Sequence, residues 1–248
     1  RANANTFDAT FPIGGSCSKL DGPIPLTVGQ STPIHHIVYI VHENKTYDSV
    51  LGDLSEPARG DSSLVRYGEA VTPNLHALAR RFATLANCYV PGEQALQAHS
   101  WISQGWMNDF AEKNSPAMWG RPDGGTFFVP GSDPAARPSD RMLLDALSDA
   151  GIRFRLYGEI FGALSDFFGA HRTSIDLNYP TWSLQVRDVD KAAEFIRELD
   201  EGIFPAFVIL WLPNDVTKRT EPGKPAPDVM VADSDYATGQ VIEAISRS

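Results

Sequence analysis

The fold of this chain is decided by one stretch, His36-Ile-Val-Tyr-Ile-Val-His-Glu-Asn-Lys-Thr-Tyr-Asp48. Its first seven residues are largely β-branched and apolar without alternation, which predicts a strand buried on both faces, as in a parallel sheet. A polar loop follows at once. Glu43 stands out in this loop, because a carboxylate placed directly after a buried strand needs a partner.

Helix and strand signals alternate along the rest of the chain. Thr72 is a predicted N-cap, with Pro73 at the first helical position. The apolar residues of this helix fall at helical spacing and should face the sheet: Leu75, Leu78, Phe82 and Leu85. Further helices are predicted from Ser139 to Gly151, from Asp188 to Gly202, and from Asp233 or Ser234 onward. Further strands are predicted at Ile152–Tyr157 and Ala206–Leu212. This order favours an α/β fold with a mostly parallel sheet flanked by helices.

The remaining segments set the predicted domain organisation. Arg1–Pro33 is rich in Gly, Pro, Asn, Ser and Thr and is predicted to be a linker or arm, whereas residues 34–248 form the α/β domain. The Gly- and Pro-rich stretch Asn108–Pro138 is predicted to be a long loop over the site. The aromatic stretch Trp101–Trp119 has two interpretations, a contact surface for other domains of a longer chain or a cluster buried under that loop.

Composition excludes several classes of function. The formal net charge of −10 opposes nucleic-acid binding, which needs clustered Lys and Arg. No apolar run approaches the roughly 18 to 20 residues that span a bilayer, so no transmembrane segment is expected. Cys17 and Cys88 are too few for a zinc cluster, and both a single disulfide and two unrelated buried thiols remain open.

Candidate ligand residues follow the predicted strands, because ligands bind at the carboxyl ends of the strands in a parallel α/β sheet. Glu43, Asn44 and Asp215 offer hard oxygen ligands, which suit a divalent ion such as Mg, Ca, Mn or Zn. Asn214-Asp215 also has a structural interpretation, because Asn and Asp at strand ends form turns and caps.

Catalytic candidates are fewer. Thr46 and Ser100 provide hydroxyl groups near these loops, and His99 could act as an acid, a base or a donor to phosphate. Lone His and Thr residues are more often structural, and His76 is expected on a helix surface. The sequence carries no Gly-x-Ser-x-Gly elbow, Walker loop, dinucleotide glycine pattern or His-Glu-x-x-His motif.

Several segments resemble one known family. The resemblance begins at Val41-His-Glu-Asn-Lys-Thr-Tyr-Asp48, which fits a pattern of apolar strand followed by Glu-Asn-x-Ser/Thr-Phe/Tyr-Asp. It continues through Val71-Thr-Pro-Asn-Leu-His-Ala-Leu-Ala79 and Leu212-Pro-Asn-Asp-Val-Thr217. On these segments the chain resembles the phosphoesterase family that includes bacterial phospholipases C and acid phosphatases, a branch of the alkaline-phosphatase superfamily.

The resemblance implies an alkaline-phosphatase-like fold and metal-dependent hydrolysis of phosphate esters, of phosphatase, phosphodiesterase or phospholipase C type. Glu43 and Asn44 would reach a divalent metal ion, and Asp215 would assist. His99 would contact the phosphoryl group or the leaving oxygen, and Thr46 is the candidate nucleophile. The substrates would be phosphate-ester small molecules or phospholipid headgroups. The protein would be periplasmic or secreted in a bacterium.

The chain also departs from the family pattern. Ala95 and Gln97 stand where relatives carry Ser and Asp, and Val216 stands where they carry a metal-binding His. The family continues beyond the position of Ser248 with strands that complete the metal site, so the domain is expected to lack its C-terminal strands. Two hypotheses follow: a metal-dependent phosphoesterase, degenerate in part, or a non-catalytic binding or structural domain of an exported protein.

Overall fold

The structure is a computed structural model that describes residues 23–24, 31–55, 58, 60–89, 95–118, 142–159, 169–217 and 221–248. The chain divides into two compact units, Arg1–His35 and His36–Ser248. In the described part of the first unit, the hydroxyl of Thr32 donates to the carbonyl of Pro23 at 2.5 Å. Most of the predicted arm, Arg1–Pro33, lies outside the described residues, as do residues 119–138 of the predicted loop.

The described residues of the second unit alternate between strands and helices. The strands are β1 (Ile37–His42), β2 (Phe154–Tyr157) and β3 (Phe207–Leu212). The helices are α1 (Tyr47–Leu51), α2 (Pro73–Arg81), α3 (Ala95–Gln104), α4 (Asp109–Met118), α5 (Leu143–Asp149), α6 (Asp188–Asp200) and α7 (Pro227–Ile245). Short 3-10 turns occupy Ser62–Leu64, Gly169–Ser174 and Pro213–Val216. None of the described helices is long and apolar enough to cross a membrane.

The three strands form one parallel sheet in the order β1-β3-β2. Ile37 of β1 and Phe154 of β2 both lie opposite Phe207, so all three strands start together and end at the same edge. Every residue of β3 is buried, as expected for a central strand with a continuous apolar sequence. The prediction of an α/β fold with a parallel sheet flanked by helices is therefore confirmed.

The prediction that β1 is buried on both faces is wrong for most of the strand. Ile37 is 53% exposed and Tyr39 is 40% exposed, and Val41 is its one fully buried residue. In the described part of the chain β1 pairs with β3 alone, and an apolar sequence does not reveal whether a strand lies at the centre or at the edge of a sheet.

Alternate residues of β3 face two separate hydrophobic cores. Phe207, Ile209 and Trp211 pack on one side with the start of α5. Val208, Leu210 and Leu212 pack on the other side against α6 and α7, where Phe195 is fully buried. The period of two along the strand thus places apolar side chains on both faces of the sheet, and helices cover both faces.

The helix predictions are confirmed for α6 and corrected for its neighbours. α6 begins at Asp188, and Gly202 follows its end with φ of 81°. α7 begins at Pro227, six residues before the predicted Asp233, because Pro is well placed at the first helical position. Asp233 instead accepts a hydrogen bond of 2.7 Å from the backbone N–H of Asp188 and so caps α6. The predicted cap Ser139 lies outside the described residues.

The predicted inward face of α2 is wrong for Phe82 and Leu85, whereas Leu75 and Leu78 are half-buried. The helix ends at Arg81, so Phe82 and Leu85 leave the helical register and are 62% and 75% exposed. The buried side chain of α2 is His76, which was expected on the surface. Its Nε2 lies 2.8 Å from an oxygen of Asp53, and this contact ties the helix to the loop before it.

Candidate functional site at the carboxyl edge of the sheet

The ends of the three parallel strands bring buried acidic residues to one edge of the sheet. Glu43 follows β1, Glu159 follows β2 and Asp215 follows β3, and all three are at most 5% exposed. Gly158 makes the turn after β2 with φ of 81°, and a Cβ there would lie 2.5 Å from the ring of Tyr179. This is the edge at which ligands bind in parallel α/β folds.

His99 of α3 lies between two of these carboxylates. Its Nδ1 is 2.7 Å from Oε1 of Glu159, and its Nε2 is 3.3 Å from Oε1 of Glu43. The indole N–H of Trp211 donates to the same oxygen of Glu43 at 2.8 Å, and its ring meets the imidazole edge-on. We call Glu43, His99, Glu159 and Asp215 the edge cluster.

The charge of His99 follows from these contacts. Burial alone lowers the pKa of His99, but the attraction of Glu159 and Glu43 and the hydrogen bonds to them outweigh it and raise the pKa to about 9. The side chain is therefore an imidazolium at neutral pH, with both N–H groups directed at carboxylates. In this state it can stabilise negative charge or give up a proton, whereas it cannot act as a base.

Asp215 joins the ends of β1 and β3. Its Oδ1 accepts a hydrogen bond of 3.0 Å from the backbone N–H of Glu43, and its Oδ2 lies 3.1 Å from Nδ1 of His42. The other ring nitrogen of His42 is 3.0 Å from the hydroxyl of Thr238 on α7. Burial lowers the pKa of His42, but the hydrogen bond to Asp215 and nearby carboxylates raise it overall.

The turn that carries Asp215 is fixed by a buried ion pair on α6. Lys191 and Asp188 have fully buried side chains, and the ammonium nitrogen lies 3.0 Å from an oxygen of Asp188. The other oxygen of Asp188 accepts the backbone N–H of Asn214 at 2.9 Å. Burial raises the pKa of Asp188 to about 6, against the opposing attraction of Lys191. Asn214 therefore has the structural role of a turn residue that was one interpretation of Asn214-Asp215.

The structure brings Glu43, His99 and Asp215 together and leaves two predicted site residues apart. Asn44 and Thr46 lie exposed on the loop after β1, and Asn44 adopts the left-handed φ of 51°. Thr46 caps α1, where its hydroxyl oxygen accepts the backbone N–H of Ser49 at 3.3 Å. Its assignment as the nucleophile stays a prediction.

The fit of a metal ion to the edge cluster is partial. Glu43 and Asp215 supply hard carboxylate oxygens, but the oxygens described above already accept hydrogen bonds from Trp211, His99, His42 and the backbone. A metal ion would share these oxygens with protein donors, and two carboxylates that each give one oxygen would fill at most half of a usual coordination shell.

Two acidic features were missed in the choice of site residues. Glu159 was visible as a carboxylate after a predicted strand, but only the fold shows that it shares His99 with Glu43. A second group consists of Asp176, Glu194 and Glu198, with oxygens within 4.8 Å of one another, and it could hold a metal ion. Its sequence signal is the i, i+4 pair on α6, whereas Asp176 comes from a distant segment.

Cys88, one of the two cysteines, has an exposed free thiol, and Cys17 lies outside the described residues.

Comparison with known proteins adds no family assignment. No protein-family model matches the chain, and no curated protein sequence matches it. The resemblance to the phosphoesterases therefore stays a prediction from the sequence segments quoted above.

Proposed function

We propose that the carboxyl edge of the sheet hydrolyses phosphate esters in a reaction that depends on a divalent metal ion. The observation that carries the proposal is the edge cluster, in which three strand ends and α3 deliver four buried ionisable groups to one place. Burying such groups costs free energy of folding. Buried ionisable groups with shifted pKa values are concentrated at functional sites, where the chemistry requires those pKa values. The resemblance of Val41–Asp48 to the phosphoesterases supports the same edge.

The residues divide into ligands and charge-stabilising groups. Glu43 and Asp215 would hold the metal ion. Asn44 would join them only if the exposed loop after β1 turned its side chain toward the edge cluster. A bound ion would polarise the phosphoryl oxygens and favour attack on phosphorus. The imidazolium of His99 would bind a phosphoryl or leaving oxygen. Lys45, whose pKa is lowered by burial, adds a second cation beside this acidic edge.

The substrate class in this proposal is a phosphate-ester small molecule or a phospholipid headgroup. An acidic edge on a chain of net charge −10 repels phosphate unless cations compensate it, which is why a metal ion is part of the proposal. The fold would be alkaline-phosphatase-like, and the protein would be periplasmic or secreted.

A second candidate is a non-catalytic domain that keeps the fold and binds or supports other groups. The observation that favours it is that Oε1 of Glu43 and both carboxylate oxygens of Asp215 already contact protein donors without any ion. Val216, which stands at the position of a metal-binding His in the family pattern, points in the same direction.

The deciding experiment is hydrolysis of an aryl phosphate and an aryl phosphodiester by the purified chain with Mn²⁺, Zn²⁺, Ca²⁺ or Mg²⁺. We expect metal-dependent turnover that falls about a hundredfold or more in Glu43→Gln, which keeps the shape of the side chain and removes its charge. Turnover by the His99→Asn variant should fall by a comparable factor. Thr46→Ala tests the nucleophile. Turnover should be lost if the Thr46 hydroxyl attacks phosphorus, and it should be kept if this hydroxyl only caps α1.

Matched controls are Glu221→Gln and His35→Asn, which alter exposed residues outside the edge cluster and should leave turnover unchanged. Circular dichroism of each variant shows that a loss is not due to unfolding. Metal-dependent binding of inorganic phosphate without turnover, abolished by Glu43→Gln, would establish the non-catalytic candidate. A wild-type chain without turnover and without metal or phosphate binding would contradict both.

A further inference from the structure

The second acidic group lies beside β2 and involves none of the residues of the edge cluster. Asp176 follows a short parallel bridge between Ile175 and Leu156, and its backbone N–H donates to the carbonyl of Leu156 at 2.9 Å. Glu194 and Glu198 lie one turn apart on α6. One oxygen from each of the three carboxylates lies within 4.8 Å of the others. We call these three residues the α6 cluster.

Two arginines compensate most of the charge of the α6 cluster. Arg155 binds both oxygens of Glu198, and the hydroxyl of Tyr157 donates to the same carboxylate at 2.6 Å. Arg197 binds both oxygens of Glu194, at 3.0 and 2.6 Å. Arg197 also binds both oxygens of Glu201. The negative charge of the three carboxylates therefore exceeds the guanidinium charge available to them, in a largely buried place.

Asp176 carries the unsatisfied part of this group. Its side chain is 1% exposed, and its Oδ1 accepts the backbone N–H of Asn178 at 2.9 Å. Its Oδ2 is buried and, among the described residues, has no hydrogen-bond partner. Burial raises the pKa of the Asp176 carboxyl, and Glu198 and Glu194 raise it further. Carboxylates only accept hydrogen bonds, so a bare oxygen among carboxylates needs either a proton or a cation beside it.

We propose that Asp176, Glu194 and Glu198 bind a calcium ion that ties the segment after β2 to α6. Three carboxylates without nitrogen or sulfur ligands select a hard cation. Calcium–oxygen bonds are about 2.3–2.6 Å long, so one ion spans oxygens that are up to about 5 Å apart, and it tolerates irregular geometry and bound water. The site is independent of the phosphoester proposal.

The affinity of this site should be modest. Arg155 and Arg197 stay bound to the two glutamates, and each carboxylate oxygen can offer its second lone pair to the ion. Because the two guanidinium groups offset much of the negative charge, we expect a Kd for calcium of about 10⁻⁴ to 10⁻³ M, the range of weak extracellular calcium modules.

The test measures calcium binding by isothermal titration calorimetry and thermal unfolding in chelator or in millimolar CaCl₂. Calcium should raise the apparent Tm of the wild type, because it binds the folded state. Asp176→Asn should weaken binding at least about tenfold and abolish the shift in Tm. Asp200→Asn, an exposed change of the same charge on the same helix, should leave binding unchanged.

Arg197→Gln separates a cation site from an ion-pair network. Removing the half-exposed guanidinium makes the cluster more negative, so calcium should bind severalfold more tightly. Glu43→Gln should keep the calcium response, which distinguishes this site from the edge cluster. A wild type that binds no calcium at millimolar concentration overturns the proposal, and in that case added stability of Asp176→Asn in chelator would indicate a proton shared with Glu194.

Discussion

The charge of His99 should make the folded protein less stable in alkaline solution. The free imidazole has a pKa of 6.5, whereas Glu159 and Glu43 raise the pKa of His99 to about 9 in the fold. A group whose pKa is raised on folding stabilises the protein fully below its unfolded pKa, and this stability is lost as the pH rises through the folded pKa. The difference corresponds to about 3 kcal/mol of unfolding free energy, lost between pH 6.5 and pH 9.

The assay is urea unfolding of the metal-free chain in chelator at intervals from pH 6 to pH 9.5, followed by tryptophan fluorescence. The pKa of His42 is also raised, so its contribution to the stability of the fold is likewise lost as the pH rises. The wild-type curve alone therefore does not isolate the contribution of His99. The matched variant is His99→Gln, whose amide keeps hydrogen bonding and does not titrate. At pH 6.5 this variant should be about 3 kcal/mol less stable than the wild type, because it leaves two buried carboxylates without a cation.

The difference between the two proteins should shrink toward zero as the pH approaches 9. Stability curves that stay parallel from pH 6.5 to pH 9 would refute the argument that His99 is an imidazolium between Glu43 and Glu159. Imidazole NMR of the wild type gives an independent check, since the resonance absent from His99→Gln should titrate near pH 9. A resonance that titrates near 6.5 would refute the same argument without relying on the stability of the variant.

Three further changes test the packing of the fold. Gly239→Ala should cost about 1–3 kcal/mol, because its Cβ would lie 2.6 Å from the side chain of Asn74, and in an Asn74→Ala background the same change should become neutral or stabilising by urea unfolding. Phe195→Ala should cost about 3–5 kcal/mol as a core truncation, whereas Phe82→Ala, at an exposed site, should stay within about 0.5 kcal/mol. Lys191→Met should cost about 3–5 kcal/mol of unfolding free energy at pH 7, because it leaves Asp188 buried without its cation. The cost should be smaller at pH 5, where Asp188 is protonated, and equal losses at both pH values would contradict this.

The sequence predicted the strands better than their places in the sheet. The apolar runs of β1 and β3 are equally continuous, and both predicted buried parallel strands, yet β3 is fully buried and β1 lies at the edge of the described sheet. Neighbouring strands decide which of two apolar runs becomes central, and that information is not local to either run. The order of elements and the parallel direction were accessible, because they follow from alternation and from short connections.

The predicted helix boundaries were wrong where a polar side chain caps a neighbouring helix instead of its own. Asp233 looked like the N-cap of α7, but it accepts the N–H of Asp188 and caps α6 from the middle of α7. Asp235 similarly accepts backbone N–H groups of Asn74 and Leu75 at the start of α2. A side chain that caps a helix in space has the same residue type as one that caps its own helix, so a single sequence does not distinguish the two cases.

The site was predictable in position because parallel strands end together, which brought Glu43 and Asp215 to one edge. Its chemistry depends on how each carboxylate is compensated, and here the edge cluster and the α6 cluster differ. His99 and His42 compensate the edge cluster, whereas Arg155 and Arg197 compensate the α6 cluster. A guanidinium keeps its charge at every accessible pH, so Arg-bound carboxylates remain fixed in the scaffold. An imidazolium can lose its proton within a moderate pH range, so only the edge carboxylates can lose the charge of their protein partner as the pH changes. This difference favours the edge cluster for chemistry and the α6 cluster for a stabilising ion.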